Sequence, residues 1–184
     1  MTWLAMSELP ISNRSIPQEF MTLRSGITGA ILGGGLIAGA CDFAYANIFY
    51  WVWRQLPPKV LWQSVASGAL GSDAFEGGYA TAALGIGFHF LIACLMAAAF
   101  VLVSRHVRIL LRRPLVFGPL YGVFLYYFMN GVVLPLSNVP APPDMSGFPM
   151  VGTSVVNFLG GLLIHSFGVG LPIALVARRK LSEE

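Results

Sequence analysis

Residues 27–53 read ITGAILGGGLIAGACDFAYANIFYWVW, a stretch long and apolar enough to cross a lipid bilayer as one helix. Near its middle it carries a single acid, Asp42. Gly35, Gly39 and Ala46 share one helical face with this acid, because the four positions are separated by steps of three or four residues. A stripe of small residues lets a second helix approach closely, so we expect Asp42 to face that helix rather than lipid. The stretch therefore predicts an integral membrane protein.

The composition extends this interpretation to the whole chain. Of its 184 residues, 56% are hydrophobic and only 10% are charged, and the mean hydropathy is +0.73. Soluble domains carry about 25% charged residues. At roughly 20 residues per span, the chain has room for four spans with short loops. One transmembrane domain is expected over 27–180, with spans at about 27–53, 79–103, 115–136 and 154–177.

Three of the segments outside these spans have predictions of their own. Residues 1–26 are predicted to form a partly amphipathic tail at the membrane surface, and residues 181–184 a short cytoplasmic tail. After Pro57 and Pro58, which stop a helix, Val60–Gly71 is long enough for a short helix but not for a span. It is predicted to be interfacial or re-entrant, with Trp62 as an anchor at the membrane surface.

The distribution of cations predicts the orientation. Of the 11 Lys and Arg residues, only Arg54 and Lys59 lie on one side of the predicted spans, and the other nine lie on the opposite side. By the positive-inside rule, both termini and the loop between the second and third spans are cytoplasmic. The net charge of +3 is too small to indicate nucleic-acid binding.

The chain also contains a weak internal duplication. Residues of the first span recur with the same spacing in the third, namely Gly35, Gly39 and Asn47 as Gly118, Gly122 and Asn130. Residues of the second span recur in the fourth, namely Thr81, Gly85, His89 and Leu95 as Asn157, Gly161, His165 and Leu171. The pattern predicts two similar helical hairpins that run in the same direction through the membrane.

Polar side chains in three of the spans are predicted to share one depth. At 1.5 Å per residue, His89, His165 and Asp42 each lie roughly 15–17 Å from the outer end of their span. A charge at the bilayer centre costs at least about 2.5 kcal/mol, so Asp42 should pair with a histidine or carry a proton. The full set of ligand or polar-network candidates is Asp42, His89, His165, Asn47, Asn130 and Asn157. It is either a proton-active or ligand-binding site, or a network that holds the helices together.

Other chemistries fit the same pattern less well. Two histidines at equal depth are candidate axial ligands of a haem, and with Asp42 they are candidate ligands of a divalent metal, although no short-range metal motif is present. The run LIAGAC ending at Cys41 resembles a lipoprotein cleavage box, but the apolar stretch continues beyond it. No nucleophile elbow, phosphate loop or paired-cysteine site occurs, so we do not expect an enzyme.

Several stretches together resemble a known family. These are GLIAGACDF at Gly35–Phe43, GFHF at Gly87–Phe90, LVFGPLYGVFLYYFMNGVVLPLSNVPAPP at Leu115–Pro143 and NFLGGLLIHSFGVGLPIALVARR at Asn157–Arg179. Their order resembles that of the uncharacterised bacterial inner-membrane proteins that include YagU. The resemblance implies four membrane spans and a bacterial cytoplasmic-membrane location, and it supplies no activity or catalytic residue.

We therefore expect an all-α bundle of four transmembrane helices built from two similar hairpins. The leading hypothesis is a non-enzymatic protein whose polar centre serves transport, proton linkage or small-ligand binding. The alternatives are a structural or accessory subunit whose glycine faces pack against partner helices, and a haem-binding electron carrier. The expected partners are membrane lipids and either further copies of the chain or another membrane subunit.

Overall fold

The computed structural model describes residues 18–140 and 155–181, and within these ranges every regular element is a helix. Four helices are long and apolar enough to cross a membrane. In chain order the helices are α1 (Gln18–Arg54), α2 (Pro58–Leu70), α3 (Gly78–His106), α4 (Ile109–Arg112), α5 (Pro114–Leu136) and α6 (Val155–Leu181). The predicted all-α bundle of four transmembrane helices is confirmed, and the chain is a multi-pass membrane protein.

Helix α1 begins at Gln18, ahead of the predicted start of the first span. Residues 18–26 thus belong to a continuous helix rather than to a separate tail. The rest of the predicted N-terminal tail and residues 182–184 lie outside the described part of the chain. At its other end α1 stops at Arg54, because Gln55 takes a positive φ of 52° and a proline opens α2.

The buried core lies where α1, α3 and α6 meet. A Cβ placed on Gly34 of α1 would lie 3.5 Å from the Ile173 Cα and 3.7 Å from the Ala97 Cβ, so the three helices are in close contact there. The fully buried members of this core are Ala30, Ala38, Ala97, Val101, Ile173, Ala174 and Ala177. Small side chains let the helix backbones approach and pack by van der Waals contact, as membrane interiors require.

The two ends of the bundle differ in charge. The core is nearer to the end where α1 begins and α3 and α6 finish, and where α4 lies. We call this the basic end, because it carries the arginines of residues 105–113 and the cations of residues 178–180. The opposite end carries α2, and we call it the α2 end.

Each hairpin is closed by a glycine at an equivalent position. A Cβ on Gly35 of α1 would lie 2.6 Å from the Cys94 Cα of α3, and a Cβ on Gly118 of α5 would lie 2.8 Å from the Leu171 Cα of α6. Neither site has room for a side chain, so both glycines are needed for the helix contact. A close helix contact at an equivalent glycine in both hairpins supports the predicted duplication.

The hairpins also share a hydrogen bond and a ring contact. The Asn47 Nδ2 donates to the Phe43 carbonyl oxygen at 2.8 Å, and the Asn130 Nδ2 donates to the Tyr126 carbonyl oxygen at 2.7 Å. These two aromatic residues occupy matching positions, and each lies beside the histidine of its own hairpin. The second hairpin differs in one respect, because α5 and α6 contain π-helical segments at Met129–Val133 and Ile164–Gly170.

Candidate functional site

Asp42 and His89 lie next to each other where α1 packs against α3. The His89 Nδ1 is 3.9 Å from the Asp42 Oδ2. The two helices approach closely here because Gly39, one turn before the acid, has no side chain. A Cβ on Gly39 would lie only 2.8 Å from the Phe90 ring. Measured at 1.5 Å per residue, the pair is about 16–18 Å from the ends of α1 and α3 at the α2 end. An acid and a histidine therefore face each other well inside the bundle.

The hydrogen bonds of His89 define which of its nitrogens carries a proton. The His89 Nε2 is 3.0 Å from the Gly39 carbonyl oxygen. A carbonyl oxygen only accepts, so the Nε2 is the donor and holds a hydrogen. In the neutral ring, the Nδ1 is then a bare acceptor that faces the oxygens of Asp42. Two acceptors do not attract each other, so a direct hydrogen bond between the two side chains requires one further proton on the pair.

The pair is partly open rather than sealed. The side chain of His89 is 14% exposed and that of Asp42 is 22% exposed. At 3.9 Å the two groups are beyond direct hydrogen-bond distance but within the range of an ion pair. A small inward movement or a bridging polar molecule would join them.

Aromatic rings enclose the imidazole. Trp62 of α2 lies edge-on to it at 5.2 Å between ring centroids, and Phe90 of α3 does so at 5.3 Å. Phe43 of α1 is 6.4 Å away and stacks on Trp62 at 4.6 Å. Such a low-dielectric environment strengthens the interaction of His89 with any charge close to it.

The prediction of Trp62 as an anchor at the membrane surface is wrong. This side chain is only 4% exposed, and its indole Nε1 donates to the Asn47 Oδ1 at 3.2 Å. Helix α2 crosses α3 at Gly85, where a Cβ would overlap the Trp62 carbonyl oxygen. The glycine lets α2 dock deeply enough for its tryptophan to reach the histidine. Helix α2 is therefore part of the site, as a cover on the α2 end.

Buried polar residues fix the position of α2. The Gln63 side chain is 2% exposed, and its Nε2 donates to the carbonyl oxygens of Phe75 and Gly78 and to the Thr81 Oγ1, at 3.0–3.2 Å. At the other end of α2, the Asn138 backbone N donates to the Gly68 carbonyl oxygen at 3.0 Å. Gln63, which directly follows Leu61 and Trp62, is the residue that could have indicated burial of this helix against protein.

His165 does not join this pair. Its Nδ1 donates to the Gly161 carbonyl oxygen of its own helix at 2.9 Å, and its ring lies edge-on to Tyr126 at 5.5 Å. Among the residues described, the ion pair of Asp42 is with His89 alone. The predicted three-part cluster of Asp42, His89 and His165 is therefore split between the two hairpins. Equal depth along the helix axes did not bring the three side chains together.

The asparagines lie in three different places. Asn47 connects α1 to α2 through Trp62, whereas Asn130 bonds within its own helix to the Tyr126 carbonyl oxygen. Asn157 is half-buried near the start of α6. Only Asn47 belongs to the surroundings of the Asp42–His89 pair.

The metal hypothesis can be compared with this geometry. Within residues 18–140 and 155–181, no group of three or more His, Cys, Asp and Glu side chains lies close enough to hold a metal ion. The rings of His89 and His165 pack against different aromatic residues. Each ring donates a hydrogen bond from one N–H to a carbonyl oxygen. The haem hypothesis stays a prediction.

No protein-family model, no curated protein and no solved structure matches this chain.

Proposed function

We propose that this protein binds and releases a proton at the Asp42–His89 pair, inside the membrane, and that this exchange drives transport or binding of a small polar molecule. The observation that carries the proposal is the orientation of His89. Its Nε2 is held by the Gly39 carbonyl oxygen, so its Nδ1 meets the carboxyl group of Asp42. An ionisable residue inside a membrane span is expensive and is usually kept for function.

The proposal requires two states of the pair, one with a shared proton and one without it. With one proton shared between them, the groups form either an imidazolium–carboxylate pair or a neutral histidine beside a protonated acid, and both states carry no net charge. Loss of that proton leaves one negative charge among the rings of Phe43, Trp62 and Phe90. Such a charge would attract a cation or a hydrogen-bond donor, which is how proton release would be linked to ligand uptake.

The route to the pair passes α2 or the lipid-facing side of the bundle. Helix α2 covers the pair from one end through Trp62, and the tightly packed core of α1, α3 and α6 fills the basic end. The exchange of a proton therefore involves movement of α2 or access along the α1–α3 contact, where both side chains keep some exposure.

The proposed location is the bacterial cytoplasmic membrane, with both termini and the basic end in the cytoplasm. The support is the asymmetry of the cations, which the positive-inside rule converts into an orientation. The resemblance to the YagU-containing family agrees with this location.

A flux assay tests the proposal. Purified protein is reconstituted into liposomes that contain a pH-sensitive dye, and a potassium gradient with valinomycin sets the membrane potential. We expect proton uptake above that of empty liposomes, loss of the excess in Asp42→Asn and in His89→Gln, and retention in His165→Gln. The last variant is a matched control, because it removes the same type of side chain at the equivalent place in the other hairpin. Uptake that equals that of empty liposomes, or that survives in Asp42→Asn, would contradict proton transport.

An accessory role for the chain requires different surfaces from those predicted. The glycines at Gly35, Gly39, Gly118 and Gly122 all contact helices of the same chain, so they are not available to a partner. By contrast, a Cβ added to Gly87 on α3 or to Gly131 on α5 would meet no atom within 4 Å, so both positions border open space. A homo-oligomer or a partner subunit would use these positions.

A further inference from the structure

We infer that the basic end carries a binding surface for the headgroups of anionic phospholipids, formed jointly by α4 and the end of α6. The surface consists of Arg108, Arg112, Arg113, Arg178, Arg179 and Lys180, and we call it the basic surface. The two sets of three cations are far apart in the sequence. They come together because α4 packs against the last turns of α6.

The short helix α4 is held in place by apolar contacts. Leu110 and Leu111 pack on the core cluster, and Leu181 at the end of α6 packs on the same cluster. The Lys180 stem lies over Gly29 of α1, since a Cβ there would be 3.8 Å from the Lys180 Cδ. Burial of the stem while the ammonium group stays at the surface is typical of lysines at a membrane boundary. The cations thus project from an ordered support.

The basic surface has no partner of opposite charge among the side chains that the structure describes. All six cations are exposed, and none of them forms an ion pair in that part of the chain. The acids whose side chains are described are Asp42, inside the bundle, and Asp73 and Glu76 at the α2 end. Among the described side chains these six cations therefore have no anionic neighbour, and an anion from outside the chain can bind to them.

The position of the surface favours a lipid over a soluble anion. Three of the cations lie in the last turn of α6, and the other three lie in the short link between α3 and α5. Cations at the ends of membrane spans lie at the level of the phosphate groups of the bilayer. Arginine binds phosphate through two parallel hydrogen bonds, and five of the six residues are arginines. Orientation by the positive-inside rule requires cations on one side only, and it does not require α4 to fold back on α6. The packing of α4 is therefore an additional feature that a lipid site explains.

Spin-labelled lipids measure the preference directly. The protein is reconstituted in phosphatidylcholine bilayers, and electron paramagnetic resonance gives the association of spin-labelled phosphatidylglycerol relative to spin-labelled phosphatidylcholine. Wild-type protein should prefer phosphatidylglycerol. The variants Arg108→Gln/Arg112→Gln and Arg178→Gln/Arg179→Gln should each reduce the preference by about five-fold or more, since each cation near an anionic surface contributes about that factor.

Three controls distinguish lipid binding at the basic surface from a general effect of positive charge. Arg54→Gln/Lys59→Gln removes two cations at the α2 end and should leave the preference unchanged, and Arg108→Lys/Arg112→Lys should retain most of it. Circular dichroism of every variant checks that the helices are intact. An equal fall in the Arg54/Lys59 variant, or no fall in either glutamine variant of the basic surface, would overturn the proposal. Displacement of the spin-labelled lipid by millimolar inorganic phosphate would show an anion site without lipid specificity and would also overturn it.

Discussion

Replacement of Gly85 by alanine should loosen α2 and destabilise the fold. The added Cβ would overlap the Trp62 carbonyl oxygen and would lie 3.1 Å from the Ala66 backbone N, so backbone atoms of α2 must move. Overpacking of this kind costs about 1–3 kcal/mol. The matched control is Gly87→Ala, two residues further along the same helix, where the new methyl group meets nothing within 4 Å. Alanine is favoured over glycine in a helix by about 0.5–1 kcal/mol, so this control should be neutral or slightly stabilising.

Two measurements read out this pair of variants. Unfolding in mixed micelles by titration with sodium dodecyl sulfate, followed by circular dichroism, gives the free energy of unfolding. Hydrogen exchange then locates the effect, which should be faster exchange in residues 58–70 of Gly85→Ala and unchanged exchange in Gly87→Ala. Equal stabilities of the two variants, or faster exchange spread evenly over the bundle, would refute the docking of α2 on α3 at this glycine.

Two further predictions concern contacts elsewhere in the bundle. The first is a double-mutant cycle of Trp62→Phe and Asn47→Ala in the same unfolding assay. The hydrogen bond between the indole and the amide should appear as a coupling energy of about 0.5–1.5 kcal/mol. A coupling energy near zero would show that the bond does not contribute to stability. Gly122→Ala should destabilise the second hairpin by about 1–3 kcal/mol, because its Cβ would overlap the His165 carbonyl oxygen. The control Gly131→Ala lies on the same span beside open space and should not destabilise the hairpin. A neutral effect of Gly122→Ala would contradict the close approach of α5 and α6.

The sequence was sufficient to predict the membrane-spanning helices and one of the contacts between them. Runs of about 20 apolar residues leave little choice but a spanning helix, since every backbone polar group must be satisfied inside lipid. The steps between Gly35, Gly39 and Asp42 also specify one helical face, and that face does pack on α3 with the acid beside His89. Periodicity predicted this contact because small residues in a membrane helix mark the side on which a neighbour lies.

The placement of His165 could not be obtained from depth alone. Position along a helix axis gives a height in the membrane, but it does not say which helix a side chain meets at that height. The predicted duplication already pointed to the observed arrangement, because equivalent histidines in two similar hairpins should have equivalent neighbours. His89 lies beside Phe43 and His165 beside Tyr126, each within its own hairpin.

The burial of Trp62 was missed for another reason. Tryptophan near the end of a membrane span is usually at the surface, and α2 is too short to span. The position of α2 instead depends on Gly85 and on the hydrogen bonds of Gln63, which connect residues that are distant along the chain. The pattern of residues within one segment does not reveal contacts between distant segments. The position of α2 over the polar pair is therefore seen only in the folded structure.

The protonation of Asp42 in the presence and absence of His89 is the most direct test of the proposed proton site. Infrared difference spectra between the wild type and Asp42→Asn, recorded in neutral lipid bilayers, isolate the bands of the Asp42 carboxyl group. We expect His89→Gln to shift these bands, because it removes the imidazole that lies 3.9 Å from the carboxyl oxygen, and we expect His165→Gln to leave them as in the wild type. Carboxyl bands at the same positions in all three proteins would contradict a shared proton at the Asp42–His89 pair.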